Sequence, residues 1–138
     1  MRLAKFKNEP FTDFSKKKNI KDFEKSLKNV RERFSKEYPL VIGGENFTSD
    51  KKLISYNPSK KDEKLGTFQK ASAEMAINAI DLAHNTFQEW KNVHVKKRVK
   101  IFVDAAKKMR KRKHDFSAMM VYEVSKNWAE ADGDTAEE

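Results

Sequence analysis

The 138-residue sequence contains no cysteine, which removes disulfides, thiolate nucleophiles and sulfur-ligated metals together. Export to an oxidising compartment is neither required nor indicated. A long apolar run is also missing. Met1-Arg2-Leu3-Ala4-Lys5-Phe6-Lys7 begins basic with nothing hydrophobic behind it, and no later segment approaches a membrane span, so a cytoplasmic protein without a membrane partner is the expectation. Histidine is scarce at three residues, and no second His or carboxylate stands at a spacing that would complete a metal site with His84. His84 therefore reads as a rim or surface residue. The length itself excludes a cofactor domain followed by a substrate domain.

What is present is polar but not disordered. Hydrophobic residues make up 38% and charged residues 37%, so burial is confined to narrow stripes. Ten Phe and two Trp argue for a folded chain, because disordered sequences lack aromatic residues. The net charge of +9, from 30 Lys and Arg against 21 Asp and Glu, raises the question of a nucleic-acid partner. Lys107 to Lys113 is the only dense basic run; elsewhere the cations are scattered among acids. The run reads as a solvated helix face rather than a phosphate-binding patch.

Along the chain, residues up to Phe14 carry Pro10 and no periodicity, and read as an extended arm that must lie on something to be ordered. With Ser15 as N-cap, Ile20, Phe23, Leu27, Val30 and Phe34 recur at three- and four-residue steps and form one stripe of a helix docked on the body of the fold. Pro39 lies beyond its end. Two hairpins follow: Leu40-Val41-Ile42 turning at Gly43-Gly44 into Glu45-Asn46-Phe47, and Leu53 to Tyr56 returning near Leu65 to Phe68 after a polar loop from Asn57-Pro58 through Glu63. The Gly pair lacks the context of a phosphate loop. Ser72 caps a long helix whose Ala76, Ala79, Ile80, Ala83, Phe87 and Trp90 share a face. A third helix, about Val95 to Arg112, turns Val99, Phe102, Val103, Ala106 and Met109 inward. Phe116, Met119, Met120 and Val121 continue into a stretch ending near Ser125, with the Met pair as core filler. Asp132 to Glu138 look like the start of a helix without core residues of its own. The fold class is α+β, with amphipathic helices and two short hairpins. Residues 1–36 form an arm and helix, and 37–138 the hairpins and remaining helices.

These apolar faces read as purely hydrophobic, and no Ser-His-acid set, paired carboxylates or ligand cluster stands out, so no catalytic, cofactor-binding or metal residue is assigned. The order of segments nevertheless resembles one family. Asn8-Glu9-Pro10-Phe11-Thr12-Asp13-Phe14-Ser15 is similar to the start of bacterial L-glutamate γ-semialdehyde dehydrogenases, also called 1-pyrroline-5-carboxylate dehydrogenases, of the aldehyde dehydrogenase superfamily. The similarity continues through Tyr38 to Glu45, Ser55-Tyr56-Asn57-Pro58, Lys70-Ala71-Ser72, Phe87-Gln88-Glu89-Trp90, Arg110 to Ala118 and Asn127 to Asp132. It covers essentially the whole chain.

The resemblance implies the outer, N-terminal part of an α/β cofactor domain, ahead of the dinucleotide-binding strands. In the family a thiolate adds to the aldehyde, hydride passes to NAD, and an activated water hydrolyses the thioester. The cysteine, general-base glutamate, asparagine and NAD-binding turn that do this fall beyond Glu138, so the resemblance implies NAD for the full-length family and none bound by this chain alone. The expected role is a structural one in proline or arginine breakdown, inactive in isolation, with the remainder of such a chain or a homo-oligomer as partner. The alternative is a basic helical module for nucleic acid or another acidic partner. Because the helices need another layer to cover them, the chain alone should expose apolar surface and self-associate or be marginally stable. Two departures from the family weaken helix borders. His94-Val95-Lys96-Lys97-Arg98 replaces a capping residue and first-turn acids with cations, at a cost of about 1–2 kcal/mol, and Ser125-Lys126-Asn127 replaces Gly-Lys-Pro.

Overall fold

A computed structural model of the chain describes residues 5–137. Met1 to Ala4, read above as a basic start, and Glu138 lie outside the described residues. The arm leads into α1 (Lys17–Arg31), β1 (Lys36–Tyr38), β2 (Leu40–Ile42), β3 (Glu45–Phe47), β4 (Lys52–Asn57) and β5 (Lys60–Gln69). Four helices follow, α2 (Ala73–Trp90), α3 (Val95–Lys111), α4 (Lys113–Val124) and α5 (Trp128–Glu137). The architecture is α+β, as the sequence implied.

The stripe on α1 docks as expected. Phe23 and Val30 are fully buried, Ile20, Leu27 and Phe34 are half-buried, and α1 packs on α4. Ser15 is not its N-cap: Lys16 holds that position without a side-chain bond, and Ser15 instead donates from both N–H and Oγ to the carboxylate of Asp13, 3.0 and 2.6 Å away. Phe34 lies past the helix and meets Tyr122 edge-on at 5.0 Å.

Both hairpins form. In the first, Leu40 pairs with Phe47 and Ile42 with Glu45, and Gly43 and Gly44 take φ of 62° and 88°. These left-handed values suit the two-residue turn that matches strand twist. Gly43 also abuts α2, since a Cβ there would lie 2.4 Å from a methyl of Leu82. The second hairpin turns sooner than expected. Asn57 pairs with Lys60 across Pro58-Ser59, and Lys60 to Glu63, expected in a loop, belong to β5. The Asn57 side chain accepts from the N–H of Ser59 at 2.9 Å, which tightens the turn. One strand escaped the sequence reading. β1 pairs in parallel with β5, giving a sheet of order β1-β5-β4 on which Tyr38 stacks against Phe68 at 5.3 Å. Gly66 makes room for that stack, because a Cβ would sit 3.2–3.3 Å from both rings.

The C-terminal helices carry the main correction. α5 does have core residues: Ala131, Asp132 and Thr135 are buried against Ser117 and Ala118 of α4, and both alanines are fully enclosed, so the two backbones approach closely. Nor are the buried faces purely hydrophobic. Ser117 and Thr135 share a hydrogen bond of 2.9 Å, and the Lys113 ammonium lies 3.1 Å from the Asp132 carboxylate. The arm closes over this pair. Thr12 donates to Asp132 from its N–H (2.6 Å) and its hydroxyl (2.5 Å), while Lys113 donates to the carbonyl of Pro10 at 2.6 Å. Beside it Phe14, Phe23, His114 and Trp128 form an aromatic cluster with Phe23 at its centre, 4.9–5.6 Å from the others. The core is thus shared between segments 1–36 and 37–138.

Helix borders are better capped than their sequences suggested. Ser72 caps α2 through Met75 N–H, as expected, and the Nδ1 of His94 accepts from Lys96 N–H at 3.2 Å in place of the missing hydroxyl. Ser125 ends α4 with φ of 57°, the conformation glycine adopts more cheaply. Asn127 and Glu130 exchange side-chain-to-backbone bonds of 3.0 and 3.3 Å, a reciprocal capping box that starts α5. By contrast α2 and α3 bury no residue. Phe102, expected to face inward, is 71% exposed, and Ile80 and Phe87 on the α2 face are 68% and 52% exposed.

Three outcomes follow for stability. Truncating the enclosed ring in Phe23→Ala is expected to cost about 3–5 kcal/mol in urea unfolding, whereas Phe87→Ser, on an already open face, shifts it by less than about 0.5 kcal/mol; equal effects would contradict this core. Lys113→Met strands a buried carboxylate and is expected to cost about 3–5 kcal/mol, most of it recovered in Lys113→Met/Asp132→Leu. Burial pushes the Asp132 carboxyl up, but the Thr12 and Lys113 donors outweigh it and hold it below the ordinary value. With the folded value depressed, its contribution is complete above about pH 4 and is lost as pH falls below that. Thermal midpoints of wild type and Asp132→Asn should therefore converge only below about pH 4.

Candidate functional site

Two further carboxylates are tied into structure. Asn57 and Arg31 donate to Glu63 at 2.8 and 2.7 Å, which holds its carboxyl below the ordinary value and joins α1 to β5. Lys52 and Gln69 do the same to Glu37, linking β1 to the other two strands. Each of these acids accepts from two or more donors, so neither is poised as a general base in search of a proton.

The histidines are dispersed. His84 is exposed on α2, His94 caps α3, and His114 lies edge-on to Phe23 at 5.6 Å. Among the described residues, no group of three or more His, Asp or Glu could hold a metal ion. No described helix is long and apolar enough to cross a membrane.

The basic run from Lys107 to Lys113 is largely spent on internal pairs. Lys107 lies 3.8 Å from Asp104, Arg110 3.0 Å from Glu9, Arg112 3.7 Å from Asp115, and Lys113 belongs to the buried pair with Asp132. Arg110 and Lys113 both hold the arm, so this run serves as its seat.

Two concavities stand out among the described residues. An open groove of about 1220 Å³ runs between the arm and α3, floored by Val103, Ala106 and Met109 and edged by Lys107 and Arg110. A shallower cleft of about 880 Å³ lies between the β2–β3 hairpin and the start of α2, with Ile42, Phe47, Ser72 and Glu74 on its walls. Neither brings a nucleophile together with a base and an oxyanion donor. The helix start nearest a strand end, α2 after β5, carries Glu74 in its first turn and no glycine before it, which opposes an anionic ligand. The sequence reading overlooked the Asp132–Lys113–Thr12 constellation, the most tightly connected polar feature among the described residues. Acid and base stand on adjacent helices with no motif spacing to mark them.

Comparison with known proteins places this geometry. The sequence is 48% identical over 135 residues to 1-pyrroline-5-carboxylate dehydrogenase 2 of Halalkalibacterium halodurans, covering 98% of this chain and 26% of the relative. It is 47% identical to the 1-pyrroline-5-carboxylate dehydrogenase of Oceanobacillus iheyensis over 96% of the chain, again 26% of the relative. The structure superposes on Thermus thermophilus 1-pyrroline-5-carboxylate dehydrogenase with a TM-score of 0.94 at 39% identity, over 99% of this chain and 27% of that one. A Mycobacterium tuberculosis Δ-pyrroline-5-carboxylate dehydrogenase shares the fold at 22% identity with a TM-score of 0.87. The chain spans about a quarter of the length of the curated relatives it matches, corresponding to their N-terminal portion. The sequence model of the aldehyde dehydrogenase family matches residues 46–138, and the chain belongs to that family.

Proposed function

We propose that this chain is the N-terminal structural part of the cofactor domain of an NAD-dependent L-glutamate γ-semialdehyde (1-pyrroline-5-carboxylate) dehydrogenase, and that by itself it oxidises no aldehyde. The observation that carries this reading is the 48% identity to a 1-pyrroline-5-carboxylate dehydrogenase across 98% of the chain. A Thermus relative of that name, solved with bound NAD, is 39% identical with a TM-score of 0.94. In this reading 1–36 is an arm-and-helix clasp on 37–138, and the whole enzyme is cytoplasmic. Covalent capture of an aldehyde needs a thiolate, and this chain has no cysteine to provide one. Nor do its residues fit NAD: Gly43 of the hairpin turn abuts Leu82 and leads into a strand rather than a helix, and Glu74 guards the first turn of α2. The chain's contribution is to present helices and strands to the rest of the enzyme.

The purified chain is expected to form no NADH from NAD and γ-semialdehyde, followed at the NADH absorbance band, above the rate in buffer. Turnover that survives further purification would contradict the inactive role. Grafting residues 1–138 in place of the matched quarter of the Halalkalibacterium halodurans relative should give NAD-dependent oxidation of γ-semialdehyde. A graft that folds but leaves γ-semialdehyde unoxidised, where the intact relative oxidises it under the same conditions, would overturn the reading of this chain as the N-terminal part of such an enzyme.

A further inference from the structure

In sequence the cations from Lys16 to Lys28 are interspersed with acids and apolar residues, but the helix sorts them. α1 turns Phe23 and Val30 inward against α4. At 3.6 residues per turn, Lys17, Lys18, Lys21, Lys25 and Lys28 fall within an arc of about 100° on its other side. All five are exposed. Asp22 and Glu24 flank the arc and Glu32 lies beyond its end, yet among the described residues the ion pairs of this segment belong to its two ends, Lys16 with Asp13 and Arg31 with Glu63. Elsewhere lysines are matched, as Lys52, Lys100, Lys113 and Lys126 are by Glu37, Asp104, Asp132 and Asp134. The stripe is unfavourable for the helix that carries it. Lys17 and Lys21, and Lys21 and Lys25, are like charges four residues apart, while Lys18 and Lys21, and Lys25 and Lys28, are three apart. The first turn holds Lys17 and Lys18 and no acid, against the helix dipole. Only the anchorage of the buried face allows α1 to hold them, and an anion along the outer face would relieve the repulsion.

We propose that the outer face of α1 is a binding surface for the phosphate backbone of double-stranded nucleic acid, contacted through Lys17, Lys18, Lys21, Lys25 and Lys28 without sequence preference. From Lys17 to Lys28 the stripe runs about 16 Å along the helix, a length over which duplex DNA presents roughly ten phosphates. The chemistry of the face separates this partner from others. A protein partner would need an apolar or aromatic anchor at the centre of the contact, and α1 carries none outward: its large hydrophobic residues are buried or half-buried on the α4 side. The same lack leaves nothing to insert into a lipid surface and no ring on which an unpaired base could stack. Ammonium groups alone serve backbone contacts, which carry no sequence information. The surface is separate from the basic run at Lys107 to Lys113, which is spent on internal pairs, and it stands independently of the dehydrogenase reading.

The test is fluorescence anisotropy of the whole chain with a labelled DNA duplex of about 20 base pairs, titrated between about 50 and 200 mM salt. Binding is expected at the low-salt end, with log affinity falling against log salt at a slope of about −4 to −5, the value for five phosphate contacts. Lys21→Glu/Lys25→Glu should weaken binding at least tenfold at about 50 mM salt and reduce the slope by about two. Lys108→Glu/Lys111→Glu, two exposed cations of α3 outside the stripe, changes the net charge equally and should alter affinity less than about threefold. Lys17→Gln/Lys21→Gln/Lys25→Gln removes charge without reversing it and should reduce the slope by about three, which keeps the test decisive should the reversed variant fail to fold. Absence of binding at low salt, or equal losses from the α1 and α3 pairs, overturns the proposal, the latter by showing a response to net charge alone. So does tighter binding to phosphatidylserine vesicles than to the duplex at the same salt, which would assign the face to a membrane surface.

Discussion

The carboxylate of Asp132 is where three separate stretches of chain are forced to meet. It is 1% exposed, and an unpaired charge at such a site would cost several kcal/mol, so its donors have to be present together. Lys113 supplies the countercharge from α4, and Thr12 supplies two hydrogen bonds from the arm. Lys113 in turn satisfies the carbonyl of Pro10, a backbone acceptor with no strand partner. The arrangement fixes the order of packing around it. With the arm held down, Phe14 reaches Phe23 and Trp128, and α1 closes over α4.

The other half of the chain is organised by a different rule. The sheet is internally complete: Tyr38 stacks on Phe68, and Glu37 and Glu63 tie β1 and β5 to their neighbours. α2 and α3, however, carry amphipathic patterns whose apolar sides are only partly met within this sequence, by the Gly43 turn against Leu82 and by the arm over Val103, Ala106 and Met109. A pattern of that kind records a layer to be covered. The match to chains about four times as long supplies a physical reason for it.

How far the sequence could be read follows from the range of each interaction. Local signals were legible: the stripe from Ile20 to Phe34, the Gly43-Gly44 turn and the Ser72 cap each lie within a few residues of what they govern. The α2 face was recognised as apolar, but periodicity states that a face wants cover and not whether cover is at hand. β1 was missed because Lys36 and Glu37 are exposed on a three-residue strand and carry no alternation. The buried role of Asp132 was missed because its partners lie 19 and 120 positions away, and an acid on a polar helix ordinarily signals solvent. His94 and the Asn127–Glu130 box show the same limit on a smaller scale. Both cap helices with residues judged by what they replaced rather than by what they could accept.

The central claim is that one half of this chain is self-sufficient while α2 and α3 are not. Native-state amide hydrogen exchange on the free chain measures that division residue by residue. The account predicts slow exchange along α1, α4, α5 and the interior of β5, and near-unprotected exchange along α2 and α3. Protection of α2 and α3 equal to that of α4 in a monomer would contradict it, because the helices would then be held by contacts this structure does not contain.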